Sequence, residues 1–119
     1  MAHIELRLNM PISANVYWRN YKGVTVLSEK AKAYRLHVYE QALVQKARKN
    51  LASRLSVQVM LYPDNKRKFD IDNRLKPLLD ALQKAGVFLD DEQIDRLTVQ
   101  RMERVKSGEA HCIVTLNEV

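Results

Sequence analysis

The sequence predicts an α+β fold: a single domain in which a mixed β-sheet of about four strands packs against two helices, in the order β-α-β-α-β-β. Three observations carry this expectation. Four short stretches alternate apolar and polar residues with the period of a half-buried strand. Two longer stretches between them repeat apolar residues at helical spacing. The 119 residues suffice for one hydrophobic core and are too few for two ordinary domains.

The elements follow in order. Ile4, Leu6, Leu8 and Met10 alternate with polar neighbours and give the first strand. A loop is expected from Pro11 to about Leu27. Ser28 then offers an N-cap, and Glu29 suits the positive end of a helix dipole. The first helix is expected to run to about Asn50. It carries one apolar row of Leu36, Tyr39, Leu43 and Ala47 and a second of Ala31, Tyr34, Val38 and Ala42. Lys30, His37, Gln41 and Arg48 mark its polar side. So wide an arc predicts packing against more than one surface; a subunit interface and the domain's own core are both open.

Leu55, Val57, Val59 and Leu61 form the second strand, which Pro63-Asp64-Asn65 breaks with turn chemistry. The second helix shows Leu75, Leu78, Leu79 and Leu82 on one face. Proline is tolerated only near a helix start, so Pro77 places that start close to Asp72–Arg74. Gly86 ends it. Leu97 and Val99 begin a strand reaching about Val105, Ser107-Gly108 make a turn, and Ala110, Cys112, Val114 and Leu116 form the last strand. No internal repeat or linker interrupts the series.

Composition excludes several classes. Hydrophobic residues make up 46% of the chain, which is globular rather than disordered, yet no apolar run is long enough to span a membrane. The N-terminal stretch alternates and lacks the apolar core of a secretory signal. A single cysteine, Cys112, excludes an intrachain disulfide and a zinc site of the CxxC type. A cytoplasmic protein with no membrane partner is expected. The formal charge of +6 is uneven: residues 1–60 hold ten Lys and Arg against three Asp and Glu, and residues 61–119 hold ten against eleven. A basic half attracts a polyanion, and nucleic acid is the commonest one inside a cell. A generic basic surface accounts for the same numbers.

The acidic residues are the most informative. Asp70 and Asp72 are two apart in an extended or turning segment, where side chains two apart point the same way. Asp90 and Asp91 lie beyond the far end of the second helix, roughly 20 Å away along the helix axis. The three residues Val87–Leu89, at about 3.5 Å each, do not span that distance. Either the segment runs back along the helix, or a bend beyond Asp91 or a partner chain closes the gap. Carboxylates without nearby Cys or His suit a hard cation such as Mg²⁺ or Mn²⁺. Such an ion lowers the pKa of an attacking water and stabilises charge on a phosphate in flight. Lys76, four residues after Asp72, projects beside the carboxylates if the helix has begun by then. A structural reading competes: Asp72 caps the helix, and Lys76 pairs with Asp72 or Asp80 on a solvated face.

Lys66, Arg67 and Lys68 immediately precede the aspartates, where cations hold a phosphate backbone or form a solvated loop. Tyr17, Trp18 and Arg19 suit stacking on unpaired bases, and an aromatic pair equally suits a core. Other chemistries find little support: His3, His37 and His111 are scattered, and GxSxG, HExxH and P-loop patterns are missing.

Residues Phe69-Asp70-Ile71-Asp72-Asn73-Arg74-Leu75-Lys76, Leu78-Leu79-Asp80-Ala81-Leu82, Ala85-Gly86-Val87 and Leu89-Asp90-Asp91 resemble the signature of the RusA family of Holliday-junction resolvases. The opening Pro11, Ser13, Asn15, Tyr17, Arg19, Gly23, Ser28 and Tyr34-Arg35 resemble that family's first motif. The resemblance covers roughly residues 4–116. It implies a homodimeric, magnesium-dependent crossover junction endodeoxyribonuclease acting on branched DNA in recombination and repair; the carboxylate chemistry allows manganese as an alternative ion. It further implies that Asp70, Asp72 and Asp91 bind the metal at a composite acidic site and that Lys76 assists. The opening loop, with Asn15, Tyr17 and Arg19, is expected to contact DNA, as are Lys66, Arg67, Lys68 and Asn73. Of the adjacent pair Asp90 and Asp91, the family pattern favours the second. One departure stands out: Phe69 occupies a place where a basic residue is natural beside DNA. Two rivals fit the residues, a nuclease preferring forks, flaps or RNA and a junction-binding protein whose aspartates are structural.

Overall fold

The computed structural model describes residues 2–119. Along the chain run β1 (His3–Asn9), β2 (Trp18–Tyr21), β3 (Val24–Leu27), α1 (Glu29–Val44), β4 (Leu55–Tyr62), α2 (Leu75–Lys84), β5 (Ile94–Arg101) and β6 (His111–Glu118). Short 3-10 turns lie at Ala14–Val16, Ile71–Arg74 and Asp91–Gln93. The main sheet has the order β1-β6-β4-β5. β6 is antiparallel to both β1 and β4, whereas β4 and β5 are parallel. A parallel pair needs a crossover, and α2 provides it. The expected mixed four-stranded sheet with two helices is what forms.

Alternation decides which side of each strand is buried. Ile4, Leu6 and Leu8 of β1, Leu55, Val57, Val59 and Leu61 of β4, and Cys112, Val114 and Leu116 of β6 all enter one core. Both helices cover that same face: α1 contributes Tyr34, Val38 and Ala42, and α2 contributes Leu78, Ala81 and Leu82. Of the two apolar rows expected for α1, the second is buried; of the first, Ala47 joins the core beyond the helix end, and Leu36, Tyr39 and Leu43 stay in solvent. The free edge of β1 is covered by α1. Gln45 accepts from the Arg7 N–H at 3.0 Å and donates to the Arg7 carbonyl at 2.8 Å, and His37 Nε2 accepts from the Asn9 N–H at 2.9 Å. These bonds satisfy an edge that would otherwise pair with another chain.

The strand expected from Leu97 to about Val105 starts earlier and ends sooner, as Ile94–Arg101, and two further expectations need correction. The segment between Pro11 and Leu27 is not simply a loop: β2 and β3 form a separate antiparallel ribbon. Its turn places Lys22 at φ 50° and Gly23 at φ 79°, the two positive φ values of a type I′ hairpin. The first helix ends at Val44, short of Asn50. Lys46 adopts φ 57°, and the Ala47 N–H reaches back to the Ala42 carbonyl at 2.8 Å, which closes the helix end without a glycine. Among the described residues no helix is long and apolar enough to cross a membrane.

Candidate active site

The segment leaving β4 carries Lys66, Arg67 and Lys68 on the surface, then turns inward at Phe69, which packs partly buried against the core. Phe69 lies between two guanidinium groups, Arg74 at 5.0 Å and Arg101 at 4.4 Å from the ring centroid. Arg101 also donates to the Phe69 carbonyl at 2.8 Å. The positive charge that is natural at this position is therefore supplied by neighbours stacked on an aromatic ring.

Asp70 precedes the 3-10 turn, and its carbonyl accepts from the Asn73 N–H at 3.2 Å. Its carboxylate caps nothing. The residue before α2 is Arg74, also without a side-chain cap bond, so Asp72 is not the helix cap. Both carboxylates are exposed, and among the described residues no N–H or cation engages either one. Asn15, Lys68, Asp70 and Asn73 line one cleft of about 340 Å³ together with Ser13 and Arg74. Lys66 and Arg67 line a second, of about 390 Å³, with Arg101 and Arg104.

The chain does run back along α2 after Gly86. Asn50 and Leu51 donate to the carbonyls of Gly86 and Val87 at 2.8 and 3.1 Å, and Leu89 donates back to Leu51 at 3.2 Å. This short parallel bridge lays 86–89 against the body of the domain. Gln93, the one buried polar residue among those described, then fixes the next turn. Its Oε1 accepts from the N–H groups of Leu89 at 3.0 Å and Asp90 at 2.7 Å, and its Nε2 donates to the carbonyls of Leu51 and Ser53 at 2.9 and 2.8 Å. Asp90 completes a capping box by accepting from the Glu92 N–H at 3.0 Å. Asp91 stands at the turn's first position, its N–H donating to the Gln83 side chain of α2 at 3.3 Å. Partial burial, a hydrogen bond with Asp90 and the charges of Asp90 and Asp80 push the Asp91 carboxyl above its ordinary value, and the Lys76 ammonium opposes them.

Lys76 donates to Asp80 at 3.3 Å. Asp80 in turn accepts from the Tyr17 hydroxyl at 2.8 Å, and Arg35 of α1 donates to that hydroxyl at 2.6 Å. Burial first, then the bond to Asp80, raises the Tyr17 pKa, against the pull of Arg35. Tyr17 is 1% exposed. Its ring is therefore closed to a stacking base, and its expected DNA contact is corrected to a structural one. Trp18, 52% exposed, is the aromatic of that pair that faces solvent. Arg19 lies exposed on β2, 3.9 Å from Glu29, with its guanidinium 5.3 Å from the Tyr21 ring.

The arrangement gathers Asn15, Lys68, Asp70 and Asn73 at one place and Lys76, Asp80 and Asp91 at another along α2. Among the described residues no three carboxylate, histidine or cysteine side chains are close enough to hold a metal as they stand. Of the two partners the sequence offered Lys76, Asp80 is the one that forms the pair; sequence reasoning missed Gln93, Arg101 and Arg104. Of these only Gln93 left a local signal, as the third residue after Asp90 in a capping-box pattern.

Residues 9–117 match the family described as Endodeoxyribonuclease RusA. The chain is 36% identical over 110 residues, 91% of its length and 90% of the other's, to a protein named crossover junction endodeoxyribonuclease RusA in Enterobacteria phage HK97. It is 32% identical over 110 residues to the protein of that name in Enterobacteria phage 82, covering 92% of each. A third relative of the same name, from Escherichia coli K12, is 33% identical over 113 residues, again covering 92% of each. Similarity of that extent, spanning both clefts and all of α2, makes this chain a member of the RusA endodeoxyribonuclease family.

Proposed function

We propose that the protein is a structure-specific DNA endonuclease that resolves four-way junctions by hydrolysing paired phosphodiesters, in recombination and repair. The observation that carries this reading is the family match over residues 9–117, which includes the whole acidic segment. The place of action we assign is the cytoplasm.

Mg²⁺, with Mn²⁺ as an alternative, is the ion we assign to Asp70, Asp72 and Asp91. The donor chemistry supports the assignment. All three are carboxylates, two lack a protein partner, and the third is crowded by the charges of Asp90 and Asp80, which a cation relieves. Asp90 is occupied with its cap, which favours Asp91 as the ligand of the pair. When bound, the ion supplies a water of lowered pKa and neutralises charge building on the phosphate. Lys76 adds a second positive charge at the cut. Lys66, Arg67 and Lys68 hold the backbone, Asn15 and Asn73 contact DNA across the cleft they share with Asp70, and Arg19 does so from the β2–β3 ribbon.

A homodimer completes the reading, because two identical sites related by a two-fold axis match a two-fold junction. The exposed row of Leu36, Tyr39 and Leu43 on α1 suits such a contact. Leu43→Arg is expected to halve the mass measured by light scattering.

The test compares cutting of a four-way junction, a flap and a linear duplex, with and without magnesium or manganese. Metal-dependent cutting that favours the junction supports the proposal. Equal rates on all three substrates make the protein a general nuclease. Tight binding with no cutting at any metal concentration makes it a junction-binding protein.

A further inference from the structure

Asp80 is neither a metal ligand nor a DNA contact in the assignments above. Its side chain is only 16% exposed, and three groups from three parts of the chain converge on its carboxylate. The Tyr17 hydroxyl, from the opening segment, donates at 2.8 Å. The Lys76 ammonium stands 3.3 Å from Oδ1 and 3.2 Å from Oδ2. The Arg35 guanidinium, from α1, lies 4.0 Å from Oδ2 and braces the tyrosine.

An exposed Lys–Asp pair four apart on a helix contributes little and leaves the lysine free to move. This pair differs because one partner is fixed. Tyr17 is buried at 1%, so the carboxylate it holds does not swing with solvent. The intrinsic preference on a helix is for the acid to precede the lysine, which favours pairing of Lys76 with Asp72. That pairing is not what forms. Residues 71–74 make a 3-10 turn, which takes Asp72 out of α-helical register with Lys76, and Asp80 takes the ammonium instead. Asp72 is left without a cation, and Lys76 is held on the side of α2 to which Asp91 returns.

We propose that Asp80 is a positioning residue: braced by Tyr17 and Arg35, its carboxylate aims the Lys76 ammonium and keeps it off Asp72, so that it sets the rate of strand cutting without touching DNA. The inference rests on the nuclease reading given above. The variant Asp80→Asn keeps the shape and one hydrogen-bond acceptor while removing the charge that holds the lysine. Misplacement of one charged group by about 1 Å costs about 10²-fold in rate. Single-turnover cutting of a four-way junction by Asp80→Asn is therefore expected to fall about 10²-fold. Junction binding measured without divalent metal should stay within about twofold, since no DNA contact is lost.

Tyr17→Phe removes one brace and should slow cutting by a smaller factor. Placed in the Asp80→Asn background it should add nothing, because both act through the same lysine. Wild-type cutting by Asp80→Asn overturns the proposal, and so does a loss of binding that matches the loss of rate. Should Asp80→Asn fail to fold, Tyr17→Phe decides alone, and an unchanged cutting rate then overturns the proposal. Absence of cutting by the unaltered protein is a different failure, that of the nuclease reading itself.

Discussion

The Gln93 carboxamide accepts the Asp90 N–H at 2.7 Å, and that bond sets the turn on which Asp91 is presented. The same side chain ties this turn to the chain before β4, through the carbonyls of Leu51 and Ser53. One buried glutamine thus serves four backbone groups.

Gln93→Leu leaves the Asp90 N–H and the Ser53 carbonyl without their partner, while the Leu89 N–H and the Leu51 carbonyl keep each other. The expected cost is roughly 3 kcal/mol, at 1–3 kcal/mol for each buried group that finds no substitute. A lower denaturant midpoint at constant slope measures it. Cutting should fall further than the unfolded fraction explains, because Asp91 loses its support.

Arg101 is predicted to contribute one phosphate contact, through the cleft it shares with Lys66 and Arg67. Arg101→Gln should reduce the slope of log affinity against log salt by about 0.9, with little change in junction preference. An unaltered slope would show that its guanidinium serves only the Phe69 ring and carbonyl.

His37 gives the fold a pH dependence separate from the site. Burial lowers its pKa below the ordinary 6.5, and its Nε2 accepts from the Asn9 N–H, which an imidazolium cannot do. A depressed folded-state pKa means that the unfolded chain takes up the proton first. Stability is therefore full above about pH 6.5 and is lost as pH falls through the lowered value. The melting midpoint should drop between pH 7.5 and 5.5, with this residue contributing to the fall. His37→Gln, whose amide oxygen accepts the same bond without titrating, should remove that part of the drop.

The main sheet was legible because its strands bury one face each, so alternation in 4–8, 55–61 and 112–116 has a physical cause. The β2–β3 ribbon was not, since every residue of Trp18–Tyr21 is exposed and no core imposes a period of two. Its only sign was Lys22-Gly23 before the β-branched Val24-Thr25-Val26. The end of α1 was hidden because Ala47 keeps the helical phase and a lysine, not a glycine, takes the left-handed position. At the site, Asp70, Asp72, Lys76 and Asp91 stood out by spacing and by resemblance. Asp80 was legible only as one of two partners for Lys76, because a carboxylate four residues after a lysine is ordinary on any solvated helix. Its burial depends on Tyr17, 63 residues away, a relation no local pattern records.

The most direct test of the central claim compares the unaltered protein with Asp70→Asn and Asp91→Asn on a four-way junction in magnesium. The account predicts symmetric paired nicks by the unaltered protein, leaving 5′-phosphates and 3′-hydroxyls. It predicts that either substitution abolishes cutting while junction binding persists. Undiminished cutting by either variant would contradict it.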